Sequence, residues 1–466
     1  MSRNFWVNLV PLTFGLLAIV VLGSWIATDS DVEIALRLPG EDGTPEGAGQ
    51  VDEPVKLEGT LTTSSGKPAD IGGAWPWFRG DDFNAISSDE DTKLLSQWPA
   101  GGPKALWSVD VGEGYAGAAI LNGCVYVVDY DRATVSDAIR CLSLENGEEI
   151  WRYSYPVKVT YNHGMSRTVP AVTDKCIVAI GPMCHVTCLD SKTGEFKWML
   201  NLPKEFGTEV PLWYAGQCPF IEDGKVILAP GGDCLMMAVD CETGEVVWKT
   251  TNNRKWDMTH TSITPMEYKG KKTYVYCGSG GVAGVSAEDG SILWETIEWK
   301  MRTNVPSPVV VGKDKLFLCG GYGNGSMMLK LTEIEGVTVP VSQFRLEPEV
   351  FGSEQHTPIY YNGHIYGVRP DWQLVCLDLN GKVLWTSTAA NSFKKLGPFM
   401  IANGLLYVMD GNGKLTLAEA SPAGFMKISE AKVLDGIESW GPMAIASGRL
   451  IVRDLKKMVC LDITEK

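Results

Sequence analysis

The 466-residue sequence lacks both an excess of positive charge and the short motifs of several large enzyme classes. With 56 acidic and 41 basic side chains, its formal net charge is −15, and an acidic surface repels phosphate backbones. The chain contains no glycine-rich phosphate loop, no nucleophile elbow and no nucleophile beside a candidate base. Nucleic-acid binding and these classes of catalysis are therefore not expected.

Adjacent cysteines are also absent, although the chain has twelve cysteines. Four of them recur in a short Cys-Leu context, at Cys141, Cys188, Cys376 and Cys460. A disulfide needs Cα atoms within about 7 Å, and equivalent positions of separate repeats lie farther apart, so we expect these four to be buried apolar side chains. Disulfides between neighbouring strands, such as Cys124 with Cys141 or Cys176 with Cys188, stay open. Around Cys184 and His185 the four clustered ligands of a zinc site are missing, and no metal is predicted.

Only one long hydrophobic run is present, from Phe5 to Ala27. Its 23 residues suffice to span a bilayer as a helix. Arg3 precedes the run and acidic residues follow it, which favours export of the rest of the chain to the periplasmic or extracytoplasmic side. Residues 1–27 are thus predicted to form a single-pass transmembrane helix, with a cleaved signal as the alternative.

Residues 28–74 differ from the run before them, because acidic residues, Gly, Pro, Ser and Thr dominate. Such a segment offers too little apolar surface to offset the entropy cost of ordering. We predict that it is a flexible linker between the anchor and the remainder of the chain.

A repeat then runs through the rest of the sequence. Short apolar strands alternate with turns of the Asn-Gly or Thr-Gly type, and each copy ends in Cys-Leu-Asp or a variant, a Thr-Gly-Glu-like turn and Trp. The best copies are residues 141–151, 188–198, 238–248, 284–294 and 376–385. Asn122-Gly123 and Asn362-Gly363 are typical of tight hairpins that need positive φ.

Each copy predicts a four-stranded antiparallel meander that cannot bury both of its faces alone. Packing the copies around an axis buries them, with a large Trp filling each wedge between neighbours. These tryptophans are Trp107, Trp151, Trp198, Trp248, Trp294 and Trp385. Phe344 is expected to substitute in the fifth copy and a residue near Met426 in the seventh. The sequence therefore predicts an all-β fold, an eight-bladed β-propeller over residues 75–466.

The two ends of the repeat region complement one another. The last copy stops after Cys-Leu-Asp and has no Trp strand, whereas a spare Trp strand occurs at residues 104–111. We predict that this N-terminal strand completes the last blade, which removes free sheet edges.

At these residues the chain resembles the family of pyrroloquinoline-quinone-type (PQQ-type) propeller repeats. The likeness covers about Lys104 to Lys466, and residues 74–87 look like the Trp-Pro-x-Phe-Arg-Gly lead-in of many exported propellers of this class. Two branches share the repeat. One comprises BamB-like scaffolds, which are non-catalytic subunits of the machine that assembles outer-membrane β-barrels; the other comprises PQQ-dependent alcohol and sugar dehydrogenases.

The resemblance implies different residues for the two branches. Dehydrogenases of this type cover the quinone with adjacent cysteines, which are absent here, and hold Ca²⁺ near a catalytic Asp. Asp257 and Glu354 lie in suitable segments but are not otherwise distinguished. BamB-like proteins are lipoproteins, whereas Ser24 stands where the lipidated Cys would be. We therefore expect no cofactor, and PQQ with Ca²⁺ is the alternative.

Loops that enter the innermost strand of each blade are expected to crowd around one mouth of the channel. The candidate residues in these segments and in one nearby hairpin are His163, Arg167, Trp213, Tyr214, His260, Arg302, His356, Arg369, Trp372 and Trp440. Arg, Trp and Tyr dominate interface energetics. We predict a monomeric, membrane-anchored and non-catalytic scaffold that binds a protein partner in the cell envelope at this mouth. The alternatives are a dehydrogenase and a carbohydrate binder that uses Trp213, Trp372 and Trp440.

Overall fold

The computed structural model describes residues 17, 22, 59–160, 163–301, 303–393, 395 and 397–465. Apart from Leu17 and Leu22, the predicted anchor lies outside these residues, as does the predicted linker up to residue 58. Within the described part of the chain, no helix combines the length and the apolar character needed to cross a bilayer.

Two strands come before the first blade in the sequence, β1 (Thr60–Thr63) and β2 (Lys104–Asp110). The first four blades contain β3 (Ala118–Leu121), β4 (Cys124–Asp131), β5 (Ser136–Ser143), β6 (Glu149–Pro156); β7 (Ala171–Val172), β8 (Ile177–Ile180), β9 (His185–Leu189), β10 (Phe196–Asn201); β11 (Phe220–Glu222), β12 (Lys225–Leu228), β13 (Cys234–Asp240), β14 (Val246–Thr251); and β15 (Thr264–Tyr268), β16 (Lys271–Gly278), β17 (Gly281–Ser286), β18 (Ile292–Thr296). One short helix, α1 (Leu202–Phe206), follows β10.

The last four blades contain β19 (Val309–Val311), β20 (Lys315–Gly320), β21 (Gly325–Ile334), β22 (Val337–Leu346); β23 (Ile359–Tyr361), β24 (His364–Val368), β25 (Leu374–Leu377), β26 (Val383–Thr386); β27 (Phe399–Ala402), β28 (Leu405–Met409), β29 (Lys414–Glu419), β30 (Lys427–Lys432); and β31 (Ala444–Ala446), β32 (Arg449–Arg453), β33 (Lys457–Asp462). A 3₁₀ turn spans Ala389–Asn391. The predicted all-β fold, an eight-bladed propeller of four-stranded antiparallel blades, is confirmed.

The first strand of each blade lies nearest the axis, since β3 contacts both β7 and β31, and β19 contacts β15 and β23. The ring is closed by β2, which pairs antiparallel with β33 and places Trp107 opposite Cys460. The N-terminal strand is thus the outermost strand of the eighth blade.

The recurring Asp-x-x-Thr-Gly motif forms the turn between the third and fourth strands of a blade. The Asp190 carboxylate accepts hydrogen bonds from the backbone N–H groups of Lys192 and Thr193, both at 2.9 Å. Gly194 follows with positive φ, and a Cβ there would lie 2.7 Å from the Trp151 indole of the preceding blade. The glycine is therefore required both by backbone conformation and by close packing.

The repeated tryptophans fill the wedges between blades. All six predicted indoles are buried, and those of Trp107, Trp198 and Trp385 donate to backbone carbonyls at 3.0, 2.9 and 2.9 Å. In the fifth blade the ring of Phe344 lies against Gly381 in the same manner.

In the seventh blade, Ser429 stands in the register that Trp385 occupies in the sixth. The indole comes instead from Trp98, outside the repeat: this residue is buried, its backbone N–H donates to Ser429 Oγ at 3.2 Å, and its ring lies 6.5 Å from Tyr407. The predicted substitute near Met426 is not found, because Ser429 holds the register position and is too small to fill the wedge.

The C-terminal part of the predicted linker is ordered rather than flexible. Strand β1 pairs with β6, with Thr60 opposite Ser154 and Thr63 opposite Trp151, and adds a fifth strand to the first blade. The outer edge of a blade offers unpaired N–H and C=O groups. The hydrogen bonds between β1 and β6 offset the entropy cost of ordering this segment, a contribution that composition alone does not reveal.

The ring has two unlike ends. The turn face carries the hairpins between the first and second strands, such as Asn122-Gly123, and those between the third and fourth. The loop face carries the segments that cross from one blade to the next. Residues 69–95, the plug segment, lie across the turn face: Trp75 exchanges two backbone hydrogen bonds of 2.8 Å with Ile120 of β3, and Ile401 of β27 donates to the Ala85 carbonyl at 3.0 Å.

Arg79, from the Trp-Pro-x-Phe-Arg-Gly lead-in, holds the plug segment to the ring. Its buried guanidinium donates to the carbonyls of Thr357 and Pro358 at 3.0 and 2.9 Å, and also to those of Phe83 and Asn84 within the segment. The ring of Phe83 in turn meets Phe220 of β11 at 5.1 Å. The motif recognised in the sequence therefore closes one end of the channel.

Above the plug, neighbouring blades are linked around the channel. The backbone N–H groups of Val169, Cys218, Ser262 and Ser307 each donate to a side chain of the next blade, at 3.2, 3.0, 2.9 and 2.9 Å. The acceptors are the Cys218 thiol and the hydroxyls of Ser262, Ser307 and Thr357. These links satisfy buried backbone donors that no ladder reaches.

Candidate functional site

The crossover segments and one hairpin place nine of the ten candidate residues at the loop face; Arg302 lies outside the described residues. They fall into two groups. Trp213, Tyr214, His260 and His356 are buried, with Trp213 only 8% exposed. The others, including Trp372 and Trp440, are at least partly exposed. The buried group cannot form a contact surface, so the predicted surface is smaller than the sequence indicated.

Arg167 lies at the centre of an aromatic cluster. Its guanidinium carbon is 4.9 Å from the centroid of the Tyr115 ring, and its Nε donates to the backbone carbonyl of Trp213. The buried Nη2 has no hydrogen-bond partner among the described residues. Burial lowers the pKa of Arg167, while Tyr115, Tyr322 and Tyr214 oppose that shift.

Trp213 and Tyr214 are both left-handed, with φ of 65° and 73°. Such values are costly for bulky side chains, and packing on both sides holds them. The Trp213 ring stacks on His260 at 6.0 Å and lies 6.2 Å from Tyr322. The Tyr214 hydroxyl donates to the Thr160 carbonyl.

His260 is neutral in this cluster. Burial lowers its pKa to about 3, and the nearby Arg167 adds to the shift. His356, on the other side of the ring, packs 6.2 Å from Phe399, and burial lowers its pKa to about 4. These two histidines are not brought together, and neither is poised to exchange protons near neutral pH.

The rim above the cluster involves residues that the sequence did not single out. The Tyr115 hydroxyl donates to a Glu438 carboxylate oxygen at 2.7 Å, and its ring lies 5.2 Å from Trp440. The Trp440 indole donates to the Lys395 carbonyl at 2.5 Å. Tyr115 and Glu438 lie in the segments that lead into the innermost strands β3 and β31, and this phase of the repeat is the signal that could have identified them.

Trp372 and Arg369 come from the hairpin between β24 and β25. Trp372 is left-handed and 39% exposed, and its carbonyl accepts a hydrogen bond from Phe393 N–H at 2.7 Å, which ties the hairpin to a crossover segment. Arg369 pairs with Asp371 at 2.8 Å. His163 is partly exposed. The hairpin thus extends the exposed rim.

Three further features bear on the alternatives. Trp213 is buried and cannot stack on a sugar ring, so the carbohydrate hypothesis keeps only Trp372 and Trp440 as platforms. Burial raises the pKa of Glu354, one of the two acids named for the dehydrogenase alternative. Over the described residues, no three His, Cys, Asp or Glu side chains are placed to hold a metal ion together.

Eight four-stranded blades built from this repeat, in a ring closed by the N-terminal strand β2, are the architecture of a PQQ-type β-propeller. The chain belongs to the family described as outer membrane protein assembly factor BamB, whose profile matches residues 78–210 and 135–387. The predicted family is thereby confirmed.

Individual relatives are distant. The outer membrane protein assembly factor BamB of Moranella endobia (strain PCIT) is 22% identical over 366 residues, which cover 76% of each chain. The crystal structure of BamB from Moraxella catarrhalis is similar with a TM-score of 0.54 at 14% identity, over 79% of this chain and 100% of that one. A europium-containing methanol dehydrogenase matches with a TM-score of 0.57 at 12% identity, over 82% and 89% of the two chains. At such identities the structural matches show the fold alone.

Proposed function

We propose that the protein is a non-catalytic, membrane-anchored scaffold that binds a protein partner in the cell envelope through its loop face. One observation carries this proposal: the chain covers the turn face with its own plug segment and leaves the aromatic rim of the loop face exposed. Exposed aromatic and Arg side chains around a packed centre are typical of protein interfaces.

Family membership and the N-terminal run support the location. The family description concerns outer-membrane protein assembly, an envelope process. The apolar run from Phe5 to Ala27 replaces the lipid anchor as the means of tethering, with the propeller on the exported side. A single-pass helix and a monomeric ring are part of this proposal.

The contact surface is expected to centre on Trp372, Trp440 and Arg369. Trp372 projects from a hairpin, and Trp440 lies above the buried cluster, which gives it a rigid base. Large aromatic side chains with few rotatable bonds bind at a low entropy cost.

Site-specific photo-crosslinking in intact cells tests this surface. A photoreactive phenylalanine analogue at Trp372 should give one discrete adduct, whereas the same analogue at Asp223, an exposed turn-face position, should give none. Equal labelling from both positions would contradict binding at the loop face.

A reconstitution experiment tests the non-catalytic part of the proposal. The full-length protein is incubated with PQQ and Ca²⁺, and the protein peak from gel filtration is analysed by absorbance. We expect no co-eluting quinone. Retention of about one quinone per chain would overturn the scaffold proposal in favour of a dehydrogenase.

A further inference from the structure

Three arginines near the channel, one of them in the plug segment, have guanidinium groups in largely buried surroundings. These groups differ in the number of hydrogen bonds that they donate. Arg79 donates to four backbone carbonyls. Arg453 likewise donates four bonds, to the carbonyls of Asp454, Ala116, Gly112 and Leu455, at 3.0 to 3.2 Å. Arg167 donates a single bond, from Nε, and no carboxylate of the described residues pairs with it. Buried polar groups are normally fully bonded, so the Arg167 pattern needs an explanation.

We infer that Arg167 is the anchoring point for a single carboxylate of the bound polypeptide partner, an inference that rests on the proposed function of the loop face. The terminal amino groups of a guanidinium form a planar fork that matches a carboxylate in a bidentate pair. Nε is already fixed by the Trp213 carbonyl, so the fork is held in one orientation before a ligand arrives.

The side chains that surround the guanidinium are mostly aromatic. Tyr115 stacks against the guanidinium, Trp213 and Tyr214 pack beside it, and His260 is neutral. Part of the side chain is exposed, but Nη2 itself is buried, so a ligand must displace part of the aromatic cover to complete the bidentate pair. A cation in low-dielectric aromatic surroundings binds an anion more strongly than one in water.

The neighbouring acids select the charge of the ligand. Glu438 interacts electrostatically with Arg167, and Glu354 does so with Tyr322 on the same side of the mouth. These carboxylates repel a phosphate dianion more strongly than a monoanion. A carboxylate is therefore the ligand class that fits, and it comes either from a chain terminus or from an acidic side chain.

The test uses the full-length protein with three acetylated tripeptides: trialanine with a free terminal carboxyl, the same peptide as its amide, and the amide of Ala-Glu-Ala. Binding is measured by calorimetry, with the total tryptophan fluorescence as a second readout. At least one carboxylate-bearing peptide should bind about tenfold more tightly than the uncharged amide. Which of the two does so identifies terminal or side-chain recognition.

Variants separate the anchor from simple attraction. Arg167→Gln should abolish the difference between the peptides, and Arg167→Lys, which keeps the charge but not the fork, should retain part of it. The matched control is Arg345→Gln, which replaces an exposed arginine of the outer strand β22 that pairs with Glu298. This variant should behave as wild type. Circular dichroism and the thermal midpoint verify that each variant is folded.

Equal binding of all three peptides to the wild type, or unchanged carboxylate preference in Arg167→Gln, would overturn the inference. The crosslinking experiment at Trp372 separates this from the proposed function. Adducts that form in a wild type without carboxylate preference leave the loop-face scaffold standing and remove the anchor. Carboxylate preference without adducts supports the anchor and removes the partner-binding role.

Discussion

The two faces of the ring use the same backbone conformation for different purposes. In the turn-face hairpins, the left-handed residues are mostly short and polar and precede a glycine, as in Asn122, Asp223, Asn362 and Asn403. Left-handed residues of the loop face include Trp213, Tyr214, Tyr322 and Glu438. Asn and Asp tolerate this conformation at little cost, whereas bulky residues there cost of order 1–3 kcal/mol each. The turn face is built for folding, and the loop face stores strain that packing must hold, as functional sites often do.

The faces also differ in what covers them. The plug segment fills the turn face with buried residues from outside the repeat, so substitutions there should affect stability. The rim of the loop face is exposed, so substitutions there should affect binding and leave stability nearly unchanged.

The largest effect is expected from Trp98→Ala. The buried indole takes the place of the tryptophan that the seventh blade lacks, and its removal leaves a cavity. We expect a loss of about 3–5 kcal/mol in the free energy of unfolding, measured by denaturant titration. Trp372→Ala on the loop face should change it by less than about 0.5 kcal/mol. Equal losses would contradict the role of Trp98 as the side chain that completes the seventh blade.

Arg79→Ala should follow, with a loss of about 3 kcal/mol. The substitution leaves the carbonyls of Thr357 and Pro358 buried without donors and releases the plug segment from the sixth blade. Limited proteolysis should then cleave within residues 69–95. Arg254→Ala, which breaks only the exposed pair with Glu295, should leave both stability and the cleavage pattern unchanged.

Acid should destabilise the ring through its buried histidines. Burial lowers the pKa of His185 and His356 to about 4 and that of His260 to about 3. The unfolded chain then binds protons first, so the free energy of unfolding should fall as pH drops from about 6.5 towards 4. His185, with neither ring nitrogen bonded, is the cleanest case.

His185→Phe should reduce this acid sensitivity and raise stability at pH 4.5 by about 1–2 kcal/mol relative to wild type. Urea unfolding at pH 7 and 4.5 measures it. His364→Gln, at a surface turn where Nδ1 contacts the Asn362 carbonyl at 2.8 Å, is the control. An unchanged pH slope in His185→Phe would show that the buried ring does not govern acid unfolding.

The smallest effect concerns Asp137, which is buried and accepts a hydrogen bond from the Tyr155 hydroxyl at 2.9 Å. Burial raises its pKa to about 7, and Asp129 contributes. Because the folded form holds this proton more tightly, its contribution to stability is present at low pH and lost as pH rises from about 4 to 7. Asp137→Asn should stabilise the ring at pH 8 by about 1 kcal/mol and have little effect at pH 4. The same urea assay detects it, and a loss of stability at pH 8 would contradict the assignment.

Much of the ring could be predicted because its signals are local. Asp190, Thr193 and Gly194 define a turn within five residues, and a tryptophan equivalent to Trp151, which packs on that glycine, recurs at a fixed place in six of the eight blades. The exceptions are contacts between residues far apart in sequence. Trp98 and Ser429 form one structural position although neither resembles the repeat, and β1 pairs with an edge that exists only after the first blade has formed.

The candidate site was predicted less completely for the same reason. The repeat phase located the crossovers, and hence Arg167, Trp440 and most of the other candidates. The position of a residue within the repeat does not determine how deeply its side chain is buried. Trp213, Tyr214 and His260 could therefore not be distinguished from exposed residues. Tyr115 and Tyr322 carry no motif of their own and became part of the site only through their position around Arg167.

By itself, the sequence determined the fold, the number of blades and the family, because strand periodicity, turn chemistry and the recurring Trp act over a few residues each. Only the tertiary structure decided which face is closed, which tryptophan completes the seventh blade and which aromatic side chains stay exposed. Burial and hydrogen bonding at those places depend on segments brought together from opposite ends of the chain, and no local pattern specifies how deeply a side chain lies once the ring has closed.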